Sequence, residues 1–160
     1  MNEAGAIWQP TASMAFARSF LNLTNLPDGT VLATGGGTDK SGFTDANAVL
    51  APEDWNPTTG SWSTYAPMSA PRLYHSVAVL LPDGRVYVAG GGGDPGVTDQ
   101  KTAQIFSPPD LFKGPRPTIS AAPATREYGS GAFVATPDAG SISRVSLIRT
   151  GSVTHGFDEN

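Results

Sequence analysis

The chain has 160 residues, with 10 Lys plus Arg against 14 Asp plus Glu, a net charge of −4 and no Cys. This acidic balance argues against a phosphate-backbone partner, which requires clustered basic charge, so no nucleic acid is expected. No apolar run approaches the roughly 20 residues of a membrane helix, so no membrane partner is expected, and the missing Cys excludes disulfides and thiolate zinc sites.

In chain order, the first signal is Trp8, followed by Met14 and Arg18, and it gains meaning from residues further along. The three recur as Trp62, Met68 and Arg72, each shifted by 54. One residue is then inserted, and Pro27-Asp28-Gly29, Val31 and Gly35-Gly36-Gly37 recur as Pro82-Asp83-Gly84, Val86 and Gly90-Gly91-Gly92, shifted by 55. A period near 50 residues is that of kelch propeller blades. Aligning the stretch after the arginines without a gap sets Phe20 against Tyr74 and Leu21 against His75.

Within each unit the pattern predicts antiparallel strands. Residues 73–81 and 85–89 flank Pro82-Asp83-Gly84, where Pro presets φ and Gly accepts positive φ, as a tight hairpin requires. Residues 103–106 add a third strand, and the 56–62 stretch supplies a Trp-bearing fourth. The tryptophans are expected to fill space between neighbouring blades.

A closed propeller has about four to eight blades, so two units and part of another form a partial ring. Met1 reads as an internal start, without an apolar leader. After Lys113-Gly114-Pro115-Arg116-Pro117 the repeat stops, and alternating runs at 132–136 and 142–149 predict strands of a second β domain. About 100 residues make an immunoglobulin-like sandwich, so this part is expected to be cut short. The expected fold is all-β: kelch blades over 1–112, then the start of an immunoglobulin-like (E-set) β-sandwich over 113–160.

Only two histidines occur, His75 and His155, and the first follows Tyr74. Imidazole nitrogen and phenolate oxygen suit a tetragonal Cu(II) site better than zinc or magnesium. The competing reading is a His that caps a strand in an ordinary kelch repeat. Successive strand residues point to opposite faces, so Tyr74 and His75 can share a metal only at the beginning of a strand or in an irregular turn, which Pro71 favours. The glycine runs lack the Lys-Ser/Thr and helix of a phosphate loop. Ser76, His75 and Asp83 lack a nucleophile elbow. Asn22-Leu23-Thr24 is a glycosylation sequon, but it falls within a predicted strand.

Taken together, Met14–Phe20, Pro71–Ser76, Leu80–Val86, Ile105–Pro109, Ser146–Arg149 and Thr154-His155 resemble the C-terminal part of the galactose oxidase and glyoxal oxidase kelch copper radical oxidases. The resemblance implies a mononuclear copper centre. Tyr74 would be an axial ligand and the base that takes the substrate hydroxyl proton, and His75 and His155 equatorial ligands, with His155 on a loop of the sandwich. It also places Phe43 at an aromatic wall of the substrate pocket. The family's radical cofactor, a Tyr joined by a thioether to a Cys, has neither member in this chain. The activity implied is oxidation of a primary alcohol or aldehyde by O2 to give H2O2, in a secreted protein of which this chain is an inactive fragment. The alternative is a non-catalytic propeller and sandwich module that binds carbohydrate or protein.

Overall fold

The computed structural model describes residues 7–39, 44–93, 95–149 and 151. Four strands, β1 (Ser19–Asn25), β2 (Val31–Gly37), β3 (Glu53–Asn56) and β4 (Ser61–Thr64), form one antiparallel sheet in sequence order. A second antiparallel sheet holds β5 (Ser76–Leu80), β6 (Val86–Gly90) and β7 (Ala103–Phe106). Among the described residues no helix is long and apolar enough to cross a membrane.

The repeat seen in the sequence is a repeat in hydrogen bonding. Leu26 N–H donates to the Thr30 carbonyl at 2.9 Å, and Leu81 N–H to the Arg85 carbonyl at 2.8 Å. In both turns the Asp side chain accepts a backbone N–H two residues on, at 3.1 Å, and the Gly sits at φ 85° or 83°. That φ lies in the left-handed region, so Gly is the residue with no Cβ penalty there.

The two sheets bury a shared core of Leu26, Leu32, Leu80, Val86 and Val88, with Tyr65, Met68, Ala78 and Phe106 packed against it. Each such aliphatic side chain contributes about 1.5–3 kcal/mol of transfer free energy. Thr24, Thr34 and the Arg18–Glu53 ion pair are buried close to this seam.

The structure corrects several sequence expectations. The strand expected over 73–81 begins only at Ser76, because Ser76 N–H closes a turn onto the Leu73 carbonyl at 3.0 Å and His75 has φ 62°. Trp8 is fully exposed instead of filling an inter-sheet space, since no sheet precedes it among the described residues. Trp55 and Trp62 are half-buried cross-strand partners whose indole N–H groups hold Thr11 and the Ala12 carbonyl. The runs at 132–136 and 142–149 form no strand. An isolated bridge, Ala121 with Ala135, stands in that region, and Phe133, Val145 and Leu147 are exposed. Alternation alone does not hold a strand without a neighbour to accept its backbone groups.

This last segment is nonetheless anchored. Arg116 donates to the Asp83 carbonyl, Arg144 donates to the Pro27 carbonyl at 2.9 Å, and Ile148 packs on the core. Both arginines therefore hold the Pro-Asp-Gly turns, at the end of the sheets opposite the start of β5.

Candidate functional site

Tyr74 and His75 lie in the turn that leads into β5, beside the end of β6, where Ser76 pairs with Gly90. The left-handed backbone at His75 breaks the up-down alternation of a strand. As a result the Tyr74 and His75 rings lie with centroids 3.8 Å apart at 37°, rather than on opposite faces. A non-Gly residue in this region costs about 1–2 kcal/mol, and such strain is typical of functional positions.

The surrounding glycines explain how the His is held. His75 Nδ1 lies 2.9 Å from the Gly92 carbonyl oxygen. A carbonyl can only accept, so Nδ1 carries the proton, which leaves Nε2 as the nitrogen available to a metal. This is the arrangement by which metal-binding histidines are oriented. Gly92 N–H donates in turn to the Tyr74 carbonyl at 3.0 Å, closing a short ring of contacts. At Gly93 a Cβ would lie 2.8 Å from His75 Nδ1, so that position must remain bare for the ring to fit. From sequence alone the glycine runs show only that they lack the partners of a phosphate loop. Their repetition beside the Tyr-His pair was the available signal.

Phe20, from the start of β1, meets the Tyr74 ring edge-on at a centroid distance of 5.3 Å and 80°. Phe20 and His75 are the two non-Gly residues with positive φ among the described residues, at 57° and 62°. Ladder register agrees: Leu21 pairs with Gly35 and Ser76 with Gly90. The structural counterpart of Phe20 is therefore His75, not Tyr74, and the inserted residue lies between Arg72 and His75. The correction leaves Ser19 as the counterpart of Tyr74.

Beneath the pair, Arg72 is fully buried, donating to the Gly90 carbonyl at 2.9 Å and to Thr102 Oγ1 at 3.1 Å. Its counterpart Arg18 is ion-paired with Glu53, whose other oxygen accepts the Ala15 N–H at 2.6 Å. Burial pulls both guanidinium pKa values below the ordinary arginine value, and in Arg18 the Glu53 carboxylate opposes that shift. Ser76 Oγ accepts from the Asn22 amide at 3.0 Å, which commits both the serine and the sequon asparagine to joining the sheets.

His155 and Phe43 lie outside the described residues. Among the described residues no group of three His, Asp or Glu side chains could hold a metal. Tyr74 and His75 thus supply an incomplete donor set of one phenol oxygen and one imidazole nitrogen, a chemistry that fits copper.

The chain is all-β, with two repeated antiparallel sheets and an oriented Tyr-His pair at the start of one of them, and comparison with known proteins identifies its family. The chain belongs to the glyoxal oxidase N-terminus family, whose profile matches residues 1–107. It is 39% identical over 147 residues to galactose oxidase of Gibberella zeae, covering 88% of this chain and 21% of that protein. It is 30% identical over 145 residues to aldehyde oxidase GLOX1 of Arabidopsis thaliana, covering 81% of this chain and 23% of that protein. Among solved structures, a fungal alcohol oxidase of the AA5 family in complex with copper superimposes with a TM-score of 0.75 at 32% identity. That match covers 81% of this chain and 29% of the other. The chain thus spans less than a third of the length of these relatives.

Proposed function

We propose that this chain is part of a copper radical oxidase that converts a primary alcohol or an aldehyde, with O2, into the oxidised product and H2O2. For an alcohol, two electrons and two protons pass from the substrate to O2, leaving aldehyde and peroxide. An aldehyde also requires a water to give the carboxylic acid. The observation that carries the reading is the Tyr74–His75 pair, brought together by the left-handed His75 and oriented by the Gly92 carbonyl.

In this reading Tyr74, His75 and His155 would hold the metal, and copper would supply one of the two one-electron acceptors that the oxidation needs, the Tyr–Cys radical being the other. Tyr74 takes the substrate hydroxyl proton at its phenolic oxygen, a general-base role within reach of a bound alcohol. His75 presents Nε2 while Nδ1 stays locked to Gly92. Phe43 forms a wall of the substrate pocket. The two sheets are kelch-type blades of a propeller, and the segment from 113 begins the immunoglobulin-like sandwich. The radical cofactor, a Tyr–Cys thioether, is contributed by residues outside this chain, and the parent protein is secreted.

Chain length permits the His155 role. Seven residue steps separate Ile148, packed on the core near the turn end, from His155. Fully extended they reach about 23–25 Å, against roughly 17 Å along the five residues of β5.

Copper titration of the chain tests this, read by the nitrogen hyperfine pattern in electron paramagnetic resonance. His75→Ala and His155→Ala are expected to lower Cu(II) affinity at least tenfold and to remove one nitrogen each. Equal affinity in all three proteins would overturn the ligand assignment. If both histidines bind copper but the full-length protein shows no alcohol- or aldehyde-dependent peroxide, the non-catalytic carbohydrate- or protein-binding alternative stands.

A further inference from the structure

The Gly92 carbonyl that orients His75 belongs to a peptide unit held from both sides. Its oxygen accepts the His75 Nδ1 proton at 2.9 Å, and its N–H, on Gly93, donates to Asp99 Oδ1 at 2.9 Å. One planar amide thus stands between a carboxylate and the imidazole. A Cβ on Gly92 would lie 2.6 Å from Asp99 Oδ1 and 2.7 Å from Asp99 Cα, and one on Gly93 would lie 2.8 Å from His75 Nδ1. Both glycines must stay bare for the two contacts to coexist.

The first sheet supplies the comparison. Val49 N–H donates to the Gly36 carbonyl at 2.9 Å, as Gln100 N–H donates to the Gly91 carbonyl at 2.8 Å. Ala48 is therefore the counterpart of Asp99, and Thr38 that of Gly93. In the first sheet the Thr38 N–H donates to the Asn47 backbone carbonyl at 2.9 Å, and the ring at the left-handed position belongs to Phe20, which has no proton to direct. Closing this loop onto the glycines does not require a carboxylate. The carboxylate stands where the ring is an imidazole, and a methyl group where it is a phenyl.

The chemistry of the difference is direct. A hydrogen bond to an ionised acceptor is stronger than one between neutral groups, and successive bonds along a chain polarise one another. A carboxylate on the Gly93 N–H draws negative charge onto the Gly92 oxygen, which then holds the Nδ1 proton more firmly and makes Nε2 a better electron-pair donor. Asp99 is exposed, so water weakens its Coulomb effect on the ring through space. The hydrogen-bonded amide is the connection that remains.

We infer that Asp99 is a positioning residue for His75, acting through the Gly92–Gly93 amide to keep the proton on Nδ1 and leave Nε2 for copper. The copper half of this role rests on the ligand reading proposed above. The proton half needs no metal and is open to measurement in the metal-free chain.

Nitrogen-15 NMR of the imidazole ring in the metal-free full chain tests this, at a pH where the ring is neutral and with His155→Ala to assign the signals. The wild type is expected to show the Nδ1–H form of His75, and Asp99→Ala a mixture of the two tautomers. Calorimetric titration of Asp99→Ala is expected to show Cu(II) affinity lower by about tenfold, the low end for losing a group that orders a metal-binding histidine. Asp99→Asn retains an acceptor without the charge and should fall between the two. Asp45→Ala separates positioning from tethering, because it removes the 3.1 Å bond from Thr98 N–H that fastens the same segment but leaves the Gly93 contact in place. It is expected to keep the wild-type tautomer and affinity, with the folding of each variant checked by circular dichroism. An unchanged tautomer in Asp99→Ala, or an equal shift in Asp45→Ala, overturns the inference. A shifted tautomer in Asp99→Ala together with wild-type copper affinity in His75→Ala upholds the positioning role and removes the ligand assignment instead.

Discussion

Glu53→Gln gives the first sheet the residue types of the second, a buried arginine with a glutamine and no carboxylate. Gln104 occupies the register position of Glu53: Ala33 pairs with Glu53, and its counterpart Val88 with Gln104. Both side chains of the Arg18–Glu53 pair are wholly buried, and Arg18 also donates to the Gly35 and Ala51 carbonyls at 3.1 and 3.0 Å. The variant retains an acceptor for the Ala15 N–H but loses a hydrogen bond between charged partners, a loss of about 1.5–3 kcal/mol. Breaking a buried pair costs about 3–5 kcal/mol when the remaining charge has no compensation. Two carbonyl acceptors compensate Arg18 in part, so Glu53→Gln should cost about 2–3 kcal/mol and Glu53→Ala about 3–5 kcal/mol. Denaturant unfolding monitored by tryptophan fluorescence measures this as a lower midpoint with an unchanged slope. A loss below about 0.5 kcal/mol for Glu53→Ala, the level of an ordinary surface change, would refute the reasoning.

Gly93→Ala places a Cβ 2.8 Å from His75 Nδ1 and is expected to weaken Cu(II) binding by about the same factor as His75→Ala, read by calorimetric titration, and at its φ of 89° to cost about 1–2 kcal/mol of stability, read by thermal unfolding. Gly35→Ala would drive its Cβ into the Arg72 carbonyl oxygen at a φ of 69°, and its thermal midpoint should fall further than that of Gly60→Ala, which has open space and φ 66°. Asp54 is buried, and burial raises its carboxyl pKa above the ordinary value near 3.8, with Thr30 opposing the shift. The folded state therefore binds this proton more tightly than the unfolded chain, and stability falls as pH rises from about that value through the raised one. Relative to the wild type, Asp54→Asn should be more stable near neutral pH and lose that advantage below pH 4; pH-dependent unfolding checks the sign.

The repeat, its hairpin turns and the Tyr-His pair were legible in the sequence because each rests on local chemistry. Pro-Asp-Gly specifies its turn, and Tyr74 next to His75 advertises its donors wherever the chain puts them. The insertion was misplaced because Arg72 and the aromatic after it match Arg18 and Phe20 in type. Only the backbone, left-handed at both Phe20 and His75, shows which residues correspond. The Gly92 carbonyl was invisible for a related reason: any residue supplies a carbonyl, so identity carries no sign of its role. Trp8 and the runs after residue 130 failed differently. Their burial depends on neighbours that the alternating pattern implies but does not itself provide.

The arrangement of Arg116 and Arg144 gives the molecule a working end and a mounting end. Both arginines clasp the turns at one pole of the sheets, while Tyr74, His75, Phe20 and the Thr98–Asp45 link between two loops occupy the other. Exchange of the loops at 44–48 and 95–102 therefore reshapes the surroundings of the Tyr-His pair without touching the clasp. The surroundings of the Tyr-His pair and the attachment of the C-terminal segment become separately adjustable properties of a single chain.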